Sequence, residues 1–316
     1  MLYSVVIVGL GNMGLKYDID DPFQGSPLTH ASAFYNDQNF NLLCAVDIYR
    51  DNRLNFERVY GLPTYDTIEN ISKETTPDIF VVATPACTHL TLIEEIFLNF
   101  SPKVILCEKP IAENYTDSVK INHLCVKNNC DIFINYPRRS SPSGKWVKNK
   151  MQSVKEYFIG TIVYSGETLN AAPHFIDLCE FWFGKIDKLS WQTKNSIGFP
   201  DKFSIFFSRG RVDFMQHLST NFSVFDISIY MDIGIIRYKR GGESVLFNDI
   251  RKCEEYKGYF LLGNDEIEII LDKSKRQADV LADLYIFMDS GRITNLCSGK
   301  SAANHVKLLN QEDSHG

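Results

Sequence analysis

The chain has 316 residues, of which 44% are hydrophobic and 23% charged, with a formal net charge of −6 at pH 7. This size is typical of about two domains of roughly 100–200 residues each, whose cores need no structural metal or disulfide. The acidic balance argues against nucleic-acid binding, and the apolar runs are too short to span a membrane. The eight cysteines contain no C-x-x-C pair, so we expect reduced thiols, no metal site and a cytoplasmic protein.

The first 135 residues alternate short apolar runs with stretches of helical period. This order is typical of a doubly wound parallel sheet that is buried on both faces. The predicted strands are Ser4–Gly9, Leu42–Asp47, Asp78–Ala83, Lys103–Cys107 and Asp131–Asn135. The predicted helices are Ala31–Asn36, Asp51–Tyr60, Leu90–Phe97 and Asn114–Asn128.

After about residue 140 the pattern changes to strands of period two, with a hairpin turn at Gly241-Gly242. Eight strands are predicted, and the last of them is Ile267–Leu271. Helical signals are confined mainly to His174–Trp182, Gln277–Asp289 and Ser301–Gln311. We therefore predict an α/β domain over residues 1–135, followed over 136–316 by an α+β domain with a mainly antiparallel sheet.

A glycine-rich turn follows the first predicted strand. Gly9-Leu10-Gly11-Asn12-Met13-Gly14 matches G-x-G-x-x-G, the Rossmann pattern that lets a pyrophosphate approach the backbone and a helix pack closely on the strand. Asp47, at the end of the second strand, is placed to bind a ribose and would repel a 2′-phosphate, which favours NAD(H). Arg50 could pair with that phosphate and keeps NADP(H) as the alternative. A turn without a ligand is the other alternative.

The spacing within this motif is unusual. Gly14 and Asp47 are 33 residues apart, whereas the pattern expects about 20. The surplus lies in Leu15–Leu28, where prolines and glycine prevent a continuous helix, and Thr29 is the predicted N-cap of a delayed helix. We expect the insertion to arch away from the pyrophosphate, either over the substrate cleft or as a solvated surface loop.

Two turns at carboxyl ends of predicted strands carry polar residues. Thr84-Pro85 follows one strand, with His89 shortly after, and Glu108-Lys109-Pro110 follows the next. Open α/β sheets bind ligands at this edge. Pro110 disfavours the helical region for Lys109, which makes this lysine a better catalytic candidate than a solvated surface lysine.

These residues resemble the glucose–fructose oxidoreductase / inositol dehydrogenase / MocA (Gfo/Idh/MocA) oxidoreductase family. The resemblance rests on the glycine turn, Ala83-Thr84-Pro85 with His89, Asn135–Arg139, His174 with Asp177 and, most specifically, Glu108-Lys109-Pro110. It implies a Rossmann domain and an open-faced antiparallel sheet that often mediates oligomers, here a homodimer or homotetramer. It also implies NAD(P)-dependent hydride transfer on a sugar, which we expect to be nucleotide-linked or acidic and biosynthetic.

The resemblance also implies residue roles. Lys109 and His174 would be catalytic, and Tyr136 would lie beside the nicotinamide. Many relatives carry an aspartate four residues before the histidine, where this chain has Asn170. The residues near the cofactor would include Thr84, Pro85, His89 and Glu108 as well as the glycine turn. Arg138 and Arg139 are candidate anchors for an anionic substrate, since a guanidinium suits phosphate or carboxylate.

The residues around His174 support a functional role independently. Pro173 suits the first turn of a helix, which would place His174 near the positive end of the helix dipole and keep its ring neutral. A core histidine paired with Asp177 is the alternative. His30, at the start of the delayed helix, is expected to be structural. Two other functions stay open: a non-catalytic NAD-binding regulator, and a reductase of an imine or tetrapyrrole.

Overall fold

The described part of the chain, in a computed structural model, comprises residues 2–23, 25–194, 199–219, 221–270, 276–292 and 294–310, with the backbone alone for 264–267, 269 and 270. The strands are β1 (Tyr3–Val8), β2 (Phe40–Val46), β3 (Thr64–Tyr65), β4 (Ile79–Val82), β5 (Val104–Cys107), β6 (Asp131–Ile134), β7 (Phe158–Ser165), β8 (Lys188–Thr193), β9 (Lys202–Phe207), β10 (Gly210–His217), β11 (Phe225–Met231), β12 (Gly234–Lys239), β13 (Ser244–Lys252), β14 (Phe260–Ile270) and β15 (Cys297–Ser298). The helices are α1 (His30–Asn36), α2 (Arg50–Tyr60), α3 (His89–Asn99), α4 (Tyr115–Lys127), α5 (Pro137–Ser140), α6 (Pro142–Met151), α7 (Thr168–Phe183), α8 (Arg276–Ser290) and α9 (Gly299–Asn310).

The N-terminal sheet has the strand order β15-β6-β5-β4-β1-β2-β3. Strands β1 to β6 are parallel, and the two-residue strand β15 pairs antiparallel with β6. Alternate residues of β1 enter two different cores: Val6 and Val8 pack on one face, and Val5 and Ile7 on the other. The predicted doubly wound parallel sheet is confirmed. The strand order reverses between β1 and β4, which defines the ligand-binding switch point of such a sheet.

The described residues form two compact units, one of residues 2–140 with 276–310, the other of residues 141–270. The predicted division into 1–135 and 136–316 placed α8 and α9 in the second domain, because they follow the antiparallel strands in sequence. Their apolar faces instead complete the cores of the first sheet, where Leu281 and Leu284 join one cluster and Ala302 and Val306 the other. The N-terminal sheet therefore needs the end of the chain to cover it.

The second unit contains an eight-stranded sheet of order β14-β13-β12-β11-β7-β10-β9-β8. All neighbours are antiparallel except β7 and β10, so the predicted mainly antiparallel sheet is confirmed. The Gly241-Gly242 turn joins β12 to β13, with positive φ at both glycines. Strands β13 and β14 are longer than predicted, and Leu271, the predicted last strand residue, lies outside the described residues. None of the helices described has the length and apolar composition needed to cross a membrane.

Candidate functional site

The three glycines of the turn after β1 have different surroundings. Gly9 has φ +99°, and a Cβ there would lie 2.6 Å from the Ala83 carbonyl oxygen at the end of β4. A Cβ on Gly14 would lie 2.0 Å from the carbonyl oxygen of Gly9. By contrast, a Cβ on Gly11 would have no neighbour within 4 Å. The chain's own packing therefore demands glycine at positions 9 and 14, while Gly11 borders open space.

The backbone amides of this turn form a cradle for an anion. The Leu10 amide donates to Oδ2 of Asp47 at 2.7 Å. Among the described residues, no acceptor receives the four amides that follow, those of Gly11, Asn12, Met13 and Gly14. Successive free amides at the start of a helical turn, beside a glycine that leaves space, suit a phosphate group. The residues present therefore fit the pyrophosphate of a dinucleotide.

Asp47 is buried at the end of β2, and two backbone amides and one side-chain amide hold its carboxylate. Besides the Leu10 amide, Oδ2 accepts from Asn52 Nδ2 at 3.2 Å, and Oδ1 accepts from the Tyr49 amide at 2.8 Å. The carboxylate is thus oriented before any ligand binds. Arg50, the alternative partner for a 2′-phosphate, is exposed at the first position of α2.

The insertion interrupts a helical path that starts at the glycine turn and resumes at α1, and it leaves the four amides of residues 11–14 in place. The His30 amide donates to the Met13 carbonyl at 2.9 Å, and the Ala31 amide to that of Gly14 at 3.1 Å. In a continuous helix these acceptors would serve residues 17 and 18. Residue 30 therefore takes the place of residue 17, an offset equal to the surplus in the glycine–aspartate spacing. Thr29 caps the delayed helix α1 by accepting from the Ser32 amide, as predicted.

The inserted segment folds back on its own unit. Both oxygens of Asp18 accept hydrogen bonds from the far end of the loop, including the Leu28 amide at 2.8 Å and the Thr29 hydroxyl at 2.6 Å. The ring of Phe23 packs on Tyr35 and Tyr60, with centroids 5.6 and 6.0 Å apart. Within the first unit the described residues of the insertion form a surface loop against α1 and α2.

The turn after β4 contains Thr84 and Pro85, followed by His89 at the start of α3. His89 was predicted near the cofactor, but its side chain is fully buried and both ring nitrogens face the chain itself. Nε2 lies 2.9 Å from the Thr84 carbonyl oxygen, and Nδ1 lies 3.1 Å from that of Ile111. Burial lowers the pKa of His89, against the raising effect of these carbonyls. His89 therefore positions the backbone of Thr84 and does not present its ring to a ligand.

Glu108 also points inward and ties three parts of the first unit together. Its Oε1 accepts from His30 Nε2 at 2.8 Å and from Asn135 Nδ2 at 2.7 Å, and its Oε2 from the Lys109 amide at 3.3 Å. Burial tends to raise the pKa of Glu108, but the hydrogen bonds and the charge of His30 outweigh it, and the pKa is lowered. Glu108 was predicted among the cofactor-binding residues. Its bonds instead anchor the turn that carries Lys109.

Lys109 lies half-buried directly after this anchor, and its peptide bond to Pro110 is cis. Burial lowers the pKa of Lys109, with the Glu108 carboxylate opposing and the Arg138 guanidinium reinforcing the shift. The first unit therefore brings Lys109 and Arg138 close enough to interact. Arg138 and the buried Arg139 lie on α5, a helix that was not predicted, while Tyr136 just before it is buried against His305 with ring centroids 6.1 Å apart.

The second unit carries His174 and Asn170 on α7. The predicted helix start at Pro173 is wrong, because α7 begins at Thr168 and Pro173 lies inside it. His174 is thus the seventh helical residue, beyond the first turn to which the dipole effect is confined. The relation to Asn170 is unaffected, since residues four apart share one helix face. Asp177 is fully buried, and His174 is half-buried.

A doubly wound sheet whose switch point carries a G-x-G-x-x-G turn with free amides defines a dinucleotide-binding domain. Residues 3–136 match the family profile GFO_IDH_MocA, described as "Oxidoreductase family, NAD-binding Rossmann fold". This part of the chain is therefore an NAD-binding Rossmann domain of the Gfo/Idh/MocA family of NAD(P)-dependent oxidoreductases, and the resemblance predicted from the sequence is confirmed.

Solved structures similar to this chain extend over both units. An NAD binding oxidoreductase from Klebsiella pneumoniae is 11% identical with a TM-score of 0.77, covering 98% of this chain and 95% of that one. The UDP-N-acetylglucosamine 3-dehydrogenase GnnA from Acidithiobacillus ferrooxidans is 10% identical with a TM-score of 0.76, covering 97% and 95%. The WlbA dehydrogenase from Bordetella pertussis, solved with NADH and UDP-GlcNAcA, is 13% identical with a TM-score of 0.73, covering 98% and 93%. At such identities the likeness shows the fold. No curated protein sequence is significantly similar to the chain.

Proposed function

We propose that the chain is an NAD(P)-dependent dehydrogenase or reductase that acts on a carbinol or carbonyl carbon of a nucleotide-linked or acidic sugar. The observation that carries this proposal is the row of four amides from Gly11 to Gly14, which donate to no acceptor in the described part of the chain and lie beside open space. The names of two similar structures support the substrate class, since one is a UDP-N-acetylglucosamine 3-dehydrogenase and another was solved with UDP-GlcNAcA.

NAD(H) is the favoured cofactor in this proposal. The Asp47 carboxylate sits at the end of β2, held by the Leu10 amide, and a fixed negative charge there would repel the 2′-phosphate of NADP(H). The exposed Arg50 keeps NADP(H) as the alternative. Gly9, Gly11, Asn12, Met13 and Gly14 would hold the pyrophosphate through backbone groups, with Thr84 and Pro85 bordering the same switch point.

Lys109 and His174 are the proposed acid–base pair. The bound nicotinamide would accept or supply the hydride. During oxidation His174 takes the proton of the substrate hydroxyl, and the Lys109 ammonium stabilises the developing alkoxide oxygen. During reduction one of these two groups returns the proton to the carbonyl oxygen. The buried Glu108 carboxylate accepts from the Lys109 amide and from Asn135, and these hydrogen bonds fix the backbone position of Lys109.

Substrate binding is proposed for the residues around this pair. Arg138 and Arg139 would bind a phosphate or carboxylate of the substrate, because a guanidinium offers paired donors to such anions. Tyr136 would border the nicotinamide, and Asn170, one helical turn before His174, would contact the sugar. A non-catalytic NAD-binding regulator is the second candidate function, and the presence of Asn170 where many relatives carry an aspartate favours it.

The proposal also includes a homodimer or homotetramer formed through the C-terminal sheet, in the cytoplasm. Exposed apolar residues on one face of neighbouring strands support the first part: Ile159 on β7 is the cross-strand partner of Tyr230 on β11, and both are exposed. The eight cysteines are free thiols, which is consistent with a reducing compartment.

The test combines cofactor titration with a substrate panel. We expect NADH to bind, and one or more UDP-sugars or UDP-sugar acids to support turnover. Lys109→Met should lower turnover by about 10²–10⁴-fold, the usual range for a lost acid–base group, with NADH binding nearly unchanged. Lys103→Met is the matched control, because Lys103 lies at the opposite end of β5 in an ion pair with Asp78 at 2.8 Å.

Three results would contradict parts of this proposal. Absence of NADH and NADPH binding would remove its basis. NADH binding without turnover of any sugar in the panel would favour the regulator. Full turnover by Lys109→Met would reject the acid–base assignment.

A further inference from the structure

Strands β13 and β14 extend beyond the sheet as a hairpin. Their register shifts between Asn248 and Ile250, and the hairpin continues to a turn closed by the hydrogen bond from the Cys253 amide to the Tyr259 carbonyl at 2.8 Å. We call residues 249–262 the arm. Thirteen of its 14 residues are exposed, and only Cys253 is partly covered.

The arm is apolar on both of its faces. Phe260, Leu261 and Leu262 are consecutive strand residues, so their side chains alternate between the faces, and each is more than 40% exposed. The other large exposed apolar residues of the arm are Ile250, Tyr256 and Tyr259. A two-stranded hairpin with both faces in water is at best marginally stable, and an apolar edge strand invites pairing with another chain. The arm therefore needs a partner surface.

The exposed aromatic rings of the arm offer a large part of the area that an interface needs. Tyr256, Tyr259 and Phe260 are 63%, 68% and 57% exposed. At roughly 150–250 Å² for each ring, these three side chains alone present about 280–470 Å². A stable interface buries about 800 Å² on each partner. The three aromatic rings thus supply roughly half of what one partner needs, before the three aliphatic residues are added.

The charges of the arm are self-complementary about Cys253. Lys252 and Glu254 lie one residue to either side of it, and Arg251 and Glu255 lie two residues to either side. The pattern continues outward: Ile250 mirrors Tyr256, and Asp249 mirrors Lys257. None of the charged side chains from 251 to 257 forms an ion pair within the described residues. A two-fold axis near Cys253 would place opposite charges and apolar groups of two copies against each other.

We propose that the arm is an interface between two copies of this chain, related by a two-fold axis close to Cys253. The proposal rests on the homo-oligomer included in the proposed function and names the segment that forms it. Apolar residues 256 and 259–262 supply the buried area, while the charges on either side of Cys253 set the register, because a shifted pairing would bring like charges together.

The test exploits this self-complementarity. Arg251→Glu with Lys252→Glu makes the arm mostly acidic, and Glu254→Lys with Glu255→Lys makes it basic. We expect the wild-type chain to have twice the mass of one chain at tens of micromolar protein in sedimentation velocity, and each variant to dissociate at least 10-fold more readily. An equimolar mixture of the two variants should restore the dimer, since each arm then meets an opposite charge.

Two controls accompany the charge variants. Leu98→Ser changes an equally exposed apolar residue on α3, 84% exposed, and should leave the dimer intact. Cys87 is the exposed thiol elsewhere in the described chain, so a Cys87→Ser background isolates Cys253. In that background a short bis-maleimide should join two chains through their Cys253 thiols. NADH binding by every variant verifies that it is folded.

The outcomes separate the arm from the wider oligomer proposal. A monomeric wild-type chain at about 100 μM would overturn both. A wild-type oligomer that both charge variants leave unchanged would overturn the arm and leave another face of the sheet as the interface. Dissociated variants whose mixture stays monomeric would overturn the two-fold pairing about Cys253.

Discussion

Replacing Gly11 by alanine separates cofactor binding from folding. A Cβ at Gly11 has no neighbour within 4 Å, so the folded protein should accommodate the methyl group. The free energy of unfolding should change little or rise by about 0.4–1 kcal/mol, because alanine restricts the unfolded chain. The same methyl group would stand where the pyrophosphate approaches the free amides of residues 11–14.

Gly14→Ala is the matched comparison. Its Cβ would lie 2.0 Å from the Gly9 carbonyl oxygen. Because this oxygen belongs to the backbone, it cannot move aside as the end of a flexible side chain would. Overpacking of this kind costs about 1–3 kcal/mol and occasionally more, and we expect the upper end of that range. The two substitutions are chemically identical and three residues apart, yet one should affect the ligand and the other the fold.

Denaturant unfolding without cofactor and calorimetric titration with NADH measure the two effects. For Gly11→Ala we expect an unfolding midpoint at or above that of the wild type and NADH binding at least 100-fold weaker, which corresponds to about 2.8 kcal/mol of binding free energy. Wild-type affinity in Gly11→Ala would refute the assignment of the pyrophosphate to this turn. A destabilised Gly11→Ala would refute the claim that its surroundings are open.

Other substitutions test the remaining parts of the site. Glu108→Gln replaces the carboxylate that accepts from His30 and Asn135 with a neutral amide and should cost about 1–3 kcal/mol of stability at pH 7, the usual cost of weakening hydrogen bonds to a buried charged group. Because the pKa of Glu108 is lowered in the folded protein, its contribution is lost as the pH falls through that folded value, so urea midpoints of variant and wild type should converge in acid. Asn170→Asp should move the part of the pH–rate profile that His174 controls to higher pH, since a carboxylate one helical turn away favours the imidazolium. A profile that does not move, or that moves to lower pH, would show that residue 170 does not act on His174. Asp18→Ala removes acceptors that close the insertion and should lower stability by about 1–2 kcal/mol, as for a lost helix cap, with NADH affinity unchanged in the same titration.

The elements that the sequence predicted well are those specified by local patterns. Continuous apolar runs located the strands of the first sheet, because a strand buried on both faces has no polar positions. The surplus of residues between Gly14 and Asp47 predicted both the insertion and its length, and Thr29 predicted where the helix resumes. The apolar runs and Thr29 lie within or directly beside the features they predict, and the glycine–aspartate spacing can be counted along the sequence without any tertiary contact.

The start of α7 shows where local reasoning fails. Proline is preferred in the first turn of a helix, so Pro173 indicated a helix beginning there. The residues before it, Thr168 to Ala172, are nonetheless helical. Thr168 is fixed by a hydrogen bond to Asp201 at 2.6 Å, from a residue 33 positions away. Tertiary contacts of this kind override a weak local preference.

Local sequence thus determined that this chain has a glycine turn of the dinucleotide-binding pattern and a Glu108-Lys109-Pro110 turn. It also determined that one sheet is parallel and the other mainly antiparallel. Only the tertiary structure decided what surrounds them. His30 and Glu108 lie 78 residues apart and meet at 2.8 Å, and neither residue's neighbours in sequence indicate the other. The helices α8 and α9 complete the cores of a sheet formed more than 140 residues earlier. Such pairings depend on which apolar faces remain to be covered once the strands are in register, and that is a property of the folded chain as a whole.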